Sequence, residues 1–101
     1  MGRNGYNPSL FSTKDGICYI CHKEGDTARH EVLYGIANRR LSKKYGLWIA
    51  VCPSCHNRIH AEQYKYLFLK ETAQKLFESV HGHTKYMEIY GRNYLEEREW
   101  R

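Results

Sequence analysis

Two CxxC pairs, Cys18-Tyr19-Ile20-Cys21 and Cys52-Pro53-Ser54-Cys55, constrain the fold of this chain more than any other feature. In each pair the two-residue gap lets one tight turn aim both sulfurs at a single point. Two such turns supply the four tetrahedral ligands of a structural zinc ion. The competing chemistry is a pair of disulfides, which belongs to exported proteins. The polar stretch from Met1 to Lys14 has no apolar signal-peptide core, so the pairs read as a thiolate site and the expected compartment is the cytoplasm. No apolar run approaches the ~20 residues that span a bilayer, so no membrane association is expected. At 101 residues the chain suits one domain with a limited core, and a metal staple compensates for that limit.

Around the pairs the pattern is mixed. Gly2, Asn4, Gly5, Asn7 and Pro8 mark residues 1–15 as a flexible arm or loop. Ala28 to Tyr34 fits a strand, with Val32 and Tyr34 facing one way and Leu33 the other. Gly35 to Gly46 reads as a polar, basic connection with a helical turn at its centre. Leu47-Trp48-Ile49-Ala50-Val51 is a buried strand leading directly into Cys52. Ser54 is the expected N-cap of a helix over 55–61. Leu69, Ala73, Leu76, Phe77 and Val80 form the apolar stripe of a further helix that Gly82 ends. Thr84 is placed to cap a last short helix through Tyr90, with Met87 inward and Gly91 closing it. The result is an α+β domain over 16–95: knuckle, strand, connection, strand, knuckle and helix, with more helices behind. A charged tail follows at 96–101.

A second ligand pattern overlaps the second pair. His56 follows Cys55 directly and His60 comes four residues later, on the same face of the expected helix. An HxxxH pair alone is a weak signal. Here the zinc clip fixes the start of that helix, and His30 lies on the first strand. Two other arrangements stay open: His22 substituting for a cysteine, or Cys52, Cys55 and His60 forming a separate finger-type site. The formal net charge is +5, and Arg39, Arg40, Lys43 and Lys44 cluster between the knuckles. Such a cluster suits nucleic-acid phosphates, with Asn38, Ser42 and Tyr45 as further donors.

The order CxxC, then Arg29-His30-Glu31-Val32, Gly35-Ile36-Ala37-Asn38-Arg39-Arg40-Leu41-Ser42, Tyr45-Gly46-Leu47, CPSCH and His60 resembles the HNH endonucleases. These are the ββα-metal nucleases, and the small phage and prophage forms are the most similar. Gly91-Arg92-Asn93-Tyr94-Leu95 adds to that likeness, which covers residues 15–95. The resemblance implies a small ββα-metal fold stapled by the four cysteines, and a hydrolase that nicks or cuts DNA with little sequence specificity. It implies one catalytic divalent ion (Mg²⁺, Mn²⁺, Ni²⁺ or Zn²⁺) on His56 and His60, a general base on the first strand, and an asparagine that orients it. In the family a ligand is followed by a histidine base; here the pair is His30-Glu31. Strict alignment makes His30 the ligand and Glu31 the base, whereas proton-transfer chemistry favours His30 as the base. Asn38 is the only asparagine in the connection. The resemblance further implies a bacterial host cell as location, with DNA as partner beside phage proteins such as packaging machinery. The alternative is a zinc-stabilised nucleic-acid-binding module without catalysis.

Overall fold

The computed structural model describes residues 6–33 and 36–95, so the expected tail at 96–101, Tyr34 and Gly35 lie outside the described residues. The buried run after Gly46 becomes strand β2 (Trp48–Val51), all four of whose residues are buried. It pairs antiparallel with β1 (Ala28–Glu31), which sets His30 opposite Ile49 and Glu31 opposite Trp48. The first strand stops earlier than its sequence suggests. Val32 and Leu33 both enter the core instead of alternating, which leaves no solvent face to continue.

The connection between the strands is a full helix, α1 (Ile36–Tyr45), and not a loop with one helical turn. Its arginines, lysines and leucine are good helix formers, and Lys43 and Lys44 sit in the last turn, where cations complement the helix dipole. Ser42 docks it: the hydroxyl is fully buried and donates to the Leu33 carbonyl at 2.9 Å. No apolar stripe announces this helix, because one serine and flanking rings do the docking. Gly46 follows at φ +71, where a Cβ would run into the carbonyl oxygen of Pro8.

Helix α2 (Pro53–Ala61) begins at Pro53, whose fixed φ suits the first helical position. Cys52, not the expected Ser54, is the N-cap, and it makes no side-chain capping bond. This helix start is held by its cysteines. Beyond a short 3₁₀ turn (Gln63–Tyr66) come α3 (Leu67–His81) and α4 (His83–Ile89), separated by Gly82 as expected. Leu69, Ala73 and Phe77 are buried with Ile59, Val32, Leu47, Ile49, Val51 and Tyr86 in one core. Each large apolar side chain buried there contributes about 1.5–3 kcal/mol. Two details differ from the stripe. Val80 is 59% exposed, while Glu71 and Gln74 are buried. Gln74 donates to Glu78 and Asn93 and accepts from the Tyr94 backbone, so its amide is fully used in tying the C-terminal segment to α3. Gly82, not Thr84, is the N-cap of α4, and Tyr86 is its buried residue while Met87 is half-buried.

Within 1–15, the structure describes residues 6–15. They form no helix or strand, yet they are bound to the hairpin. Asn7 N–H donates to the Lys43 carbonyl, Leu10 N–H to that of Gly46, and Ser9 Oγ to that of Trp48. Trp48 Nε1 donates to the Asn7 carbonyl at 2.8 Å. These are contacts across some 40 positions of sequence, so turn-forming composition alone does not reveal them.

Candidate metal centres

The first knuckle lies beside the hairpin through Tyr19 N–H, which donates to the Ala50 carbonyl at 2.8 Å. His22 closes that knuckle at φ +66 and donates its backbone N–H to the Cys18 carbonyl. The second knuckle runs from the end of β2 into α2. Their convergence brings the Sγ atoms of Cys18, Cys21, Cys52 and Cys55 within 4.8 Å of one another. All four are free thiols.

The donor set fits a tetrahedral ion. Zinc–sulfur bonds of ~2.3 Å require sulfurs ~3.8 Å apart; Cys21 Sγ and Cys52 Sγ are 3.8 Å apart. Protonation points the same way. Burial pushes the Cys18 thiol up, but the backbone N–H groups of Cys21, Cys52 and Ile20 outweigh it and hold its pKa at about 6. Cys55 is pushed up to about 12 by burial, by bonding to Cys52, Cys18 and Cys21, and by the charge of Cys18. One ionised sulfur therefore blocks ionisation of its neighbour, a conflict that a divalent cation relieves. A four-cysteine cluster able to hold a structural Zn²⁺ is thus built into the fold. His22 is exposed and belongs to no ligand group, and His60 belongs to a different one, so neither alternative arrangement forms.

That second group joins β1 to α2. Ligand nitrogens of His30, His56 and His60 also lie within 4.8 Å of one another. The rings form a nearly equilateral triangle, with centroid separations of 5.2, 5.2 and 5.0 Å. His56 Nε2 and His60 Nε2 are 3.3 Å apart, the edge expected of a tetrahedral ion with bonds of ~2.0–2.1 Å to nitrogen. Helical spacing aligns the latter two, and the hairpin register delivers His30. His30 is only 3% exposed. Burial, then the charges of His56, His60, Lys70 and Arg39, lower its pKa to about 3, so it is neutral. His56 is also lowered, by burial and by His60, against an opposing effect of Glu31. Neutral imidazole is the metal-binding form.

A cavity of about 190 Å³ opens on this triangle, lined by Arg29, His30, Glu31, Arg39, His56 and His60. It holds several waters' worth of volume, enough for an ion and a small anionic group. Among the sequence-predicted site residues, Glu31 and Arg39 join the histidines there. Asn38, half-buried in the first turn of α1, is not a lining residue. Arg40 is exposed on α1, Lys43 Nζ lies 5.0 Å from the centre of the Tyr6 ring, and Lys44 Nζ lies 5.3 Å from that of Tyr45. No protein-family model, curated protein or solved structure matches this chain. Its chemistry is read from the residues themselves.

Three participants had no signal strong enough to find them in the sequence. Arg29 lines the cavity while its guanidinium is held bidentately by Asp15, at 3.1 and 2.6 Å. Alternation along β1 turns it away from His30, so only the cavity's shape reveals it. Lys70, half-buried on α3, lies with His30 around a small adjoining pocket, and burial, then Arg92, lower its pKa. Tyr6 donates its hydroxyl to Glu31 Oε2 at 2.6 Å.

Proposed function

We propose that this ββα-type module is a metal-dependent HNH endonuclease that hydrolyses phosphodiester bonds of DNA. The observation that carries the proposal is the convergence of His30, His56 and His60 on a cavity that Glu31, Arg29 and Arg39 also line. A structural zinc clip alone needs no such cavity. His30, His56 and His60 would hold the divalent ion, which when bound supplies Lewis acidity at a phosphoryl oxygen.

Other residues complete the chemistry. With His30 among the ligands, Glu31 takes the base position and accepts a proton from water. This favours the strict family alignment over the one in which His30 is the base. Arg39 is the cation placed to offset charge that builds on the phosphate, whereas the Arg29 guanidinium is paired with Asp15. Arg40, Lys43 and Lys44 extend the positive surface along α1, where DNA phosphates would lie. Asn38 has no assigned step.

The test is incubation with supercoiled plasmid and Mg²⁺, Mn²⁺ or Ni²⁺. Nicking that chelator abolishes and His56→Ala removes is the expected result. A gel shift of duplex DNA with no nicking under any of these ions would instead make the chain a DNA-binding module.

A further inference from the structure

We propose that Tyr6 is a positioning residue of the cavity, orienting the Glu31 carboxylate from outside the hairpin and helix that carry the histidines. This rests on the nuclease reading above, and specifically on Glu31 as the base. The contact is short and charge-assisted: the Tyr6 hydroxyl donates to Glu31 Oε2 at 2.6 Å, in the range of the strongest O–H···O⁻ bonds. Burial, then the bond to Glu31 and its charge, raise the Tyr6 pKa, so the phenol stays a donor. One carboxylate oxygen is thereby fixed, and Glu31 lines the cavity, where its other oxygen would accept the proton of a water.

Tyr6 is itself held from several sides. Its ring packs edge-on against Trp48 at 5.7 Å, and the Arg29 guanidinium lies 4.9 Å from the Tyr6 centroid and 4.2 Å from that of Trp48. Trp48 is the cross-strand partner of Glu31 and also donates to the Asn7 carbonyl. The hydroxyl therefore sits on a frame fixed by the same strand pair that sets Glu31. Ring packing alone would secure the N-terminal segment. The hydroxyl, aimed at the one carboxylate in the cavity, is what packing does not require. A base held by a preorganised partner keeps the geometry that proton transfer needs.

Tyr6→Phe isolates that hydroxyl, since it keeps the ring. With plasmid as substrate, Tyr6→Phe is expected to lower kcat about 10- to 100-fold, the usual effect of losing an outer-shell partner. KM, the melting temperature and Co²⁺ binding followed by visible absorption should match the wild type. In a Glu31→Gln background Tyr6→Phe should change kcat less than about twofold, because coupled residues are not additive. Tyr6→Ala, which also removes the ring, should lower the melting temperature as well. A wild-type kcat in Tyr6→Phe would overturn the proposal. So would an equal loss with and without Glu31, or a loss expressed in KM or in melting temperature. If the wild-type chain cleaves nothing, the nuclease reading fails and this proposal falls with it; a cleaving wild type with an unaffected Tyr6→Phe removes only the positioning role.

Discussion

The two ligand clusters share the same short helix, with Cys55 and His56 adjacent, yet they are built differently. At the start of α2, four thiols close around one point, two of them buried. From the next residue onward, the imidazoles of His56 and His60 meet that of His30 beside a cavity that Glu31, Arg29 and Arg39 also line. A closed set of four ligands is what a structural ion requires, and three ligands with an open position are what a reactive ion requires. The two clusters divide the labour. The first cluster fixes where α2 begins, and that fixes His56 and His60 against His30 on β1.

Removing one member of the closed cluster should have the largest effect. Structural zinc contributes on the order of 10–16 kcal/mol to small domains of this kind, as large as the whole ~5–15 kcal/mol net stability of a typical domain. Cys55→Ser should therefore leave the chain unfolded, with loss of the cooperative thermal transition in circular dichroism. A chelator strong enough to strip that ion should do the same. His56→Ala should behave in the opposite way, folding with a melting temperature within a few degrees of the wild type while plasmid nicking is lost. If both variants unfold, or neither does, the division of labour is wrong.

Separating His30 from Glu31 sharpens the open cluster. His30→Ala should abolish binding of the second ion in calorimetry. Glu31→Gln should retain the ion and lose about 10²–10⁴-fold in kcat, the range for a missing general base. Gly46→Ala tests how far the N-terminal segment matters to that cluster. The new methyl meets the Pro8 carbonyl and the residue must hold φ +71. A drop of about 1–3 kcal/mol in urea unfolding should accompany a loss of cleavage greater than the stability change explains. Arg40→Ala, at an exposed position of α1, is expected to have the smallest effect: weaker DNA binding at low salt, and a salt dependence shallower by about one charge.

What could be read in advance was local. CxxC spacing, the His56–His60 interval and the apolar run into Cys52 each lie within one turn or one strand, so the sequence order alone displays them. The face shared by His30 with those histidines needed the hairpin register, which places His30 opposite Ile49. Helix α1 hid because its docking rests on Ser42, a polar residue, and on Tyr45 against Phe77 and His81. Tyr6 hid because a single hydroxyl reaching across 25 positions leaves no periodic trace. The buried Glu71 and Gln74 hid for a related reason: in α3 the core face is completed by polar groups that a hydrophobic stripe passes over.

X-ray absorption on the chain loaded with zinc at the cysteines and cobalt at the second site separates the two ligand clusters. The expected result is a zinc edge with only sulfur neighbours, near ~2.3 Å, and a cobalt edge with imidazole neighbours that disappears in His56→Ala. A single ion per chain, or sulfur around both metals, would contradict that separation.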